Sequence, residues 1–117
     1  MINYKFGMEI QEKTLKEIRA SLKEIDTMRF LKYITEVERE ALELTSVALR
    51  DAERVCIAKM QNQLVKDFQA QTASLNEQAK KIRACVTQMN KLPNKVLANI
   101  QSVIKTAVKI VAAVAKW

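Results

Sequence analysis

Apolar residues recur along most of this chain at intervals of three and four, the spacing of one face of an α-helix. The first run extends from Leu15 through Ile18 and Leu22 to Ile25, an alternation typical of coiled-coil seams. Around residues 26–28 the run changes phase, which indicates a bend or a short break with Asp26 or Thr27 as a candidate helix cap. The pattern then resumes and predicts a much longer second helix.

Two interruptions divide the rest of the chain. From Gln69 to Ser74 the apolar residues are only alanines and the other residues are polar, which predicts a turn. Ser74 with Glu77 then matches a capping box at the start of a new helix. Pro93 disfavours helical geometry in the preceding residue and therefore ends the next helix. The pattern predicts a single domain over residues 1–117 with helices at about 8–26, 28–69, 74–91 and 94–116.

A reversal between Gln69 and Thr72 would make the numbers of antiparallel partners add up to about 141. Cys56 would then face Cys85, and apolar positions would meet along the whole pair of helices. Both cysteines have apolar neighbours and are predicted to be buried core residues, with a disulfide between them as the alternative. The expected fold is therefore all-α, either a long antiparallel helical hairpin or a three- to four-helix bundle with coiled-coil-like packing.

Composition supports the same fold class. The chain has one glycine and one proline in 117 residues, whereas 49% of the residues are hydrophobic and 28% are charged. A β-rich or α/β domain of this length would need several glycine-containing turns. Ala, Leu, Lys, Glu and Gln, which favour helices, fill the long stretch between the glycine and the proline.

Charge is distributed unevenly, although the chain as a whole carries +7. The segment from Gln78 to Trp117 has eight basic residues and no acidic one, while residues 1–77 are nearly neutral. An excess of this kind predicts an acidic partner, an anionic surface, or an acidic face elsewhere in the same assembly.

Most catalytic chemistry is disfavoured because the chain contains no histidine and too few glycines for a phosphate-binding loop. Glu36, Glu40 and Glu43 share one helix face and could in principle hold a cation. Acidic runs on helices are more often solvated or partner-facing stripes. We expect a protein that is not an enzyme and has no catalytic residue, cofactor or metal site.

The C-terminal helix is the predicted contact element. From Val96 to Trp117, 15 of 22 residues are apolar and the only charges are three lysines. Lys105 and Lys109 would lie at mid-bilayer in a transmembrane span, which disfavours that role. The predicted interaction residues are Val96, Ile100, Val103, Ile104, Lys105, Lys109, Ile110 and Trp117.

The favoured function is a protein–protein interaction or assembly role, as in a scaffold, an adaptor or a chaperone-like protein. The expected partner is a second copy of the chain, with a dimer favoured, or another protein. One alternative is a peripheral binder of an anionic membrane or lipid granule through residues 96–117. The chain resembles phasins, helical proteins that coat storage granules, in size and amphipathic character alone.

The other alternative is non-specific nucleic-acid binding, which is less favoured because no aromatic residue lies between Phe68 and Trp117 to stack on bases. No classical signal peptide is recognisable, so the expected location is cytoplasmic.

Overall fold

The computed structural model describes the backbone of residues 2–61, 68–91 and 98–117 and the side chains of residues 10–61, 69–91 and 99–117. These segments form four helices and no strand. The helices are α1 (Ile2–Met28), α2 (Glu36–Met60), α3 (Phe68–Met89) and α4 (Ala98–Ala115). The all-α prediction is confirmed, and the architecture is a four-helix bundle.

Each helix packs against its neighbour in sequence, and α1 also packs against α4, which closes the bundle. Successive helices are antiparallel. Helices α2 and α4 additionally meet across the middle, so α2 touches all three of the others. The molecule is elongated, with extents of 52 × 23 × 19 Å.

The apolar runs read from the sequence form the core. Ile18 and Ile25 of α1 are fully buried, as is Ile104 of α4. On α3 the apolar residues that recur every three or four positions are all buried, at Leu75, Ala79, Ile82, Val86 and Met89. In α4 the buried residues are Ile100, Ile104, Ala107, Val108, Val111, Val114 and Ala115. The bundle therefore covers the apolar face of the C-terminal helix within one chain.

Helix α1 is longer than predicted at both ends, and the break after it lies later than the phase shift indicated. The chain leaves the helix at Arg29 and α2 begins only at Glu36, so the predicted helix 28–69 is wrong at its start. Thr35 caps α2. Its hydroxyl accepts a hydrogen bond from the Glu38 backbone amide, and the Glu38 carboxylate accepts one from the Thr35 amide. This capping box satisfies backbone groups that α2 would otherwise leave unpaired, which fixes the helix start.

Asp26, a candidate cap from the sequence, instead joins α1 to α2. Its carboxylate accepts hydrogen bonds from Ser46 at 2.9 Å and Arg50 at 3.2 Å on α2, and from Arg29 at 3.3 Å. Partial burial alone would raise the pKa of Asp26, but the hydrogen bonds from Ser46, Arg29 and Arg50 outweigh it and hold the pKa below its usual value.

The predicted turn at Gln69–Ser74 is also wrong. Helix α2 ends at Met60, capped by Gln61, and α3 already includes Phe68, so the chain reverses earlier. Ser74 lies within α3 and is not a cap; its hydroxyl accepts a 3.3 Å hydrogen bond from Gln78. The predicted start of α3 at a Ser74/Glu77 capping box was wrong because several Ser/Thr-x-x-Glu sequences occur in the chain and only some of them cap a helix. The polar residues that suggested a turn belong to a largely exposed face of α3.

The earlier reversal changes the register of α2 against α3. Gln78 pairs with Asp51, so residues at the same level have numbers that add up to about 129 rather than 141. Cys85 is consequently near Glu40, and Cys56 donates through its thiol to the Gln11 carbonyl of α1 at 3.2 Å. At 1.5 Å per residue, the two cysteines are offset by about 18 Å along the bundle. They do not face each other, and both are free thiols.

The end of α3 lies close to its predicted position. The helix stops at Met89, and Asn90 and Lys91 form a turn. Pro93, the predicted cause of this stop, lies outside the described residues, as does the predicted start of the last helix at residue 94. Helix α4 ends at Ala115, one residue before the predicted end.

Candidate interaction site

A groove of about 440 Å³ lies between α3 and α4. It is lined by Arg83, Val86 and Thr87 of α3, by Asn90 directly after that helix, and by Lys105, Val108 and Lys109 of α4. We call these seven residues the basic groove. On α3, residues 83, 87 and 90 share one face by helical periodicity, and residues 105 and 109 do so on α4. The antiparallel packing of α3 and α4 places these two faces side by side.

The basic groove has an apolar floor and polar walls. Val86 and Val108 are buried at its base. Beyond Arg83 and the two lysines, the Thr87 hydroxyl and the Asn90 amide add hydrogen-bonding groups. The side-chain Oδ1 of Asn90 accepts a 2.7 Å hydrogen bond from the side-chain amide of Gln101, which joins the end of α3 to α4. The floor suits an apolar or aliphatic group and the walls suit anions.

Among the residues that the structure describes, no acidic side chain pairs with the cations of the groove. Arg83, Lys105 and Lys109 are exposed, and none of them forms an ion pair with any other residue that the structure describes. The chain from Gln78 onwards contains no Asp or Glu. Three cations around a small apolar floor therefore create a positive potential directed at solvent, which favours association with an anion.

The structure separates the predicted interaction residues into three groups. Ile100 and Ile104 belong to the core and are not available to a partner while the bundle is intact. Val103, Ile110 and Trp117 are half-buried and pack against the core from the flank of α4 that lies away from the groove. Lys105 and Lys109 are exposed in the basic groove. Val96 lies outside the described residues.

Sequence reasoning missed the contribution of α3 to this site. Arg83 is one of the eight basic residues counted between Gln78 and Trp117, and the sequence pattern alone does not identify Val86, Thr87, Asn90 or Val108 as binding residues. The signal that could have identified them is the i, i+4, i+7 spacing of Arg83, Thr87 and Asn90 beside the apolar run of α3. The pattern of a single helix does not show which other helix packs beside it, so the sequence did not reveal that this face adjoins Lys105 and Lys109.

Outside the basic groove, the described residues include two free cysteines. No three His, Cys, Asp or Glu side chains in the described parts of the chain are grouped as metal ligands. Burial raises the pKa of the Cys56 thiol to about 11. Burial also raises the pKa of Cys85, with a further contribution from the negative charge of Glu40. Both thiols are therefore held in the protonated, weakly nucleophilic form.

An exposed apolar segment lies in the connection between α1 and α2. Phe30 is 76% exposed and Tyr33 is 91% exposed, and Leu31 is exposed between them. The Arg29 guanidinium lies 5.6 Å from the centre of the Phe30 ring, within cation–π range.

No described helix combines the length and the apolar character needed to cross a bilayer. Comparisons with known proteins add no assignment. No protein-family model matches the chain, and no curated protein or solved structure matches it. The compositional resemblance to phasins therefore gains no support from these comparisons.

Proposed function

We propose that this protein is a non-catalytic binding protein whose basic groove holds an acidic segment of a protein partner. The observation that carries the proposal is the arrangement of Arg83, Lys105 and Lys109, which lack ion-pair partners among the described residues, around the floor formed by Val86 and Val108. Glutamate side chains fit this arrangement because their carboxylates reach the cations while their methylene groups cover the valines.

The floor favours a protein partner over a nucleic acid. Phosphate-binding surfaces need cations but gain little from buried valines, and base stacking needs aromatic side chains. The described groove lining contains none. A lipid surface is disfavoured as the partner of α4, because Ile100 and Ile104 lie in the core and the helix would have to leave the bundle to insert them.

The site can be tested with fluorescein-labelled poly-glutamate as an acidic probe, titrated with the full chain and followed by fluorescence anisotropy. Reversing both groove lysines, Lys105→Glu with Lys109→Glu, is expected to weaken binding at least tenfold, about 1.4 kcal/mol. The matched control reverses Lys81 of α3 and Lys116, which directly follows α4; both lysines are exposed and lie outside the groove. It changes the net charge equally and is expected to weaken binding by about twofold or less.

Two competitors extend the test. Duplex DNA and anionic phosphatidylserine vesicles are added separately to the same labelled complex. We expect neither to displace poly-glutamate efficiently at about physiological salt, where non-specific phosphate binding is weak. Equal weakening by the groove and control variants would contradict the proposal, and so would tighter binding of DNA than of poly-glutamate through the same lysines.

A further inference from the structure

The cations of the basic groove have a defined arrangement along its length. Asn90 pairs with Gln101, so residues at the same level of α3 and α4 have numbers that add up to about 191. Arg83 therefore lies at about the level of Lys109, with the groove floor between them. Lys105 lies about 6 Å further along the groove, towards Asn90, because each helical residue rises 1.5 Å. Two positive charges thus face each other at one end, and a third lies one helical turn away.

The neutral polar groups of the groove walls are already engaged within the chain. The Thr87 hydroxyl donates a 3.0 Å hydrogen bond to the Arg83 carbonyl, and Oδ1 of Asn90 accepts one from Gln101. The backbone amides of the groove residues of α3 and α4 donate to carbonyls of their own helices. The groove therefore offers charged side chains to a ligand, whereas its backbone amides are already paired.

A polypeptide that enters this groove must therefore satisfy its own backbone. An extended peptide gains backbone hydrogen bonds at a sheet edge, where unpaired amides and carbonyls are available. Between two helices it would lose hydration above Val86 and Val108 without equivalent partners, which costs free energy. An α-helix pairs its backbone groups internally and packs against other helices through its side chains. The groove therefore favours a helical ligand over an extended one.

We infer that the acidic segment held by the basic groove is an α-helix with carboxylates one turn apart on one face. This inference rests on the proposed function and specifies the conformation and the residue pattern of the partner. Glutamates at positions i and i+4 are about 6 Å apart along a helix, which matches the separation of Lys105 and Lys109 along α4. One carboxylate then lies between Lys109 and Arg83, and the other lies beside Lys105.

The groove cations also stabilise the helical form of this ligand. Like charges one turn apart destabilise an isolated helix, and short helices are marginal in water, so the free segment is only partly helical. Lys105, Lys109 and Arg83 offset the repulsion between the carboxylates when the segment binds. The segment consequently gains helix content on binding, as disordered segments do when folding is coupled to binding. Because the charge pairs are near solvent, binding is strongest at low ionic strength.

Two peptides of equal composition and net charge distinguish a helical ligand from an extended one. Each has about 15 residues, mostly alanine and glutamine, a length at which a helix can form. In the first peptide, two glutamates occupy positions i and i+4, which share one face of a helix but are about 13 Å apart in a strand. In the second they occupy i and i+2, which lie on nearly opposite sides of a helix and on the same side of a strand.

The peptides are titrated at low salt into the isotope-labelled full chain, and the amide NMR shifts of the groove residues report the affinity. The i, i+4 peptide is expected to bind about fivefold more tightly than the i, i+2 peptide, a factor that one lost exposed ion pair can account for. In a second titration the peptide is labelled instead. The Cα chemical shifts of the i, i+4 peptide are expected to move towards helical values as it binds.

Two variants of the full chain link this preference to the groove. Lys105→Gln with Lys109→Gln removes the groove charge without reversing it and is expected to weaken both peptides and to abolish the preference for the i, i+4 peptide. The matched control, Lys81→Gln with Lys116→Gln, loses the same net charge outside the groove and is expected to keep the preference. Circular dichroism verifies the helix content of both variants.

Equal or tighter binding of the i, i+2 peptide would overturn this inference, as would binding by neither peptide or a bound i, i+4 peptide with the chemical shifts of an extended chain. If poly-glutamate binding still depends on Lys105 and Lys109 in that case, the proposed function holds and only the conformation assigned to the ligand is wrong. Poly-glutamate binding that is insensitive to these two lysines would instead contradict the proposed function itself.

Discussion

Gln78 of α3 donates a 2.8 Å hydrogen bond to Asp51 of α2, and this contact marks the register of the two helices. The same Gln78 amide nitrogen lies 3.3 Å from the Ser74 hydroxyl. The side-chain carbonyl oxygen of Gln78, however, is buried and has no hydrogen-bond partner among the described residues. One side chain thus supplies a useful donor and an unsatisfied acceptor.

Gln78→Lys is expected to raise the free energy of unfolding by about 0.5–1 kcal/mol, because it keeps a donor for Asp51 and removes an acceptor whose burial is costly. Urea denaturation at neutral pH measures the change. Gln88→Lys, on the exposed face of α3, adds the same charge and is expected to have almost no effect. Equal unfolding free energies for the two variants would show that the Gln78 contact does not govern the packing of α2 on α3.

Asp26 gives the bundle a predictable dependence on pH. Its pKa in the folded chain is lower than the ordinary value of 3.8, so the folded state favours the carboxylate. The stabilisation from Asp26 is complete above that ordinary value and is lost as the pH falls through the lower pKa of the folded state. Asp26→Asn is expected to cost about 1 kcal/mol near pH 7 and progressively less towards about pH 2.5.

Thermal unfolding across that pH range measures the Asp26 effect. Glu24→Gln, an exposed substitution on the same helix that touches no described hydrogen bond, is the charge control. A constant difference between wild type and Asp26→Asn at all pH values would contradict the role assigned to the hydrogen bonds from Ser46, Arg29 and Arg50.

Adjacent residues of α4 are expected to separate stability from binding. Ile104 is completely buried, so Ile104→Ala should lower the free energy of unfolding by about 2–5 kcal/mol through lost burial and the cavity left behind. Lys105→Ala should change stability by no more than about 0.5 kcal/mol, because its side chain is exposed.

Binding of poly-glutamate is expected to show the reverse order for these two variants: Lys105→Ala weakens it, and folded Ile104→Ala retains it. Urea titration and anisotropy on the same preparations provide both measurements. Strong loss of binding by folded Ile104→Ala would mean that the core face of α4, rather than the basic groove, contacts the partner.

The two cysteines should differ in reactivity. At about pH 8, raising the thiol pKa from 9.0 to about 11 lowers the thiolate fraction of Cys56 by about 100-fold, and burial further restricts access. Cys85 is half-buried and is expected to react first with a thiol-specific disulfide reagent. In the variant Cys56→Ser only Cys85 can react, so it shows which kinetic phase of the labelling belongs to which cysteine. Both thiols should react quickly in urea. Faster labelling of Cys56 than of Cys85 in the folded chain would contradict the described packing.

The sequence predicted the helical class and most of the core because both depend on local periodicity. Leu75 through Met89 and Ile100 through Val114 recur with the spacing that one buried helix face requires, and the bundle buries them. These predictions needed no knowledge of which helix covers which face.

Boundaries and register were harder to predict, since they depend on competition between similar local signals. Thr35 with Glu38 and Ser74 with Glu77 both match a capping box, and only the first one caps a helix. Apolar residues recur every three or four positions on both α2 and α3, so many registers bring apolar residues to similar levels. A polar contact such as Gln78 with Asp51 distinguishes these registers, and it cannot be recognised before the helices are paired.

The candidate site was predicted in part for the same reason. Lys105 and Lys109 were identified from the charge pattern of one helix, but the groove needs Arg83, Val86 and Asn90 from another. Ile100 and Ile104 were assigned to a partner because a single amphipathic helix does not reveal whether its apolar face is covered by its own chain or by a second one.

The order of the helices around the bundle affects how fast the chain folds. Because α1, α2 and α3 each pack against the next helix along the chain, much of the core joins segments that are near one another in sequence. Short loop closures cost little entropy before native interactions compensate for it. The chain should therefore acquire its structure in microseconds to milliseconds, as topologies of low contact order do.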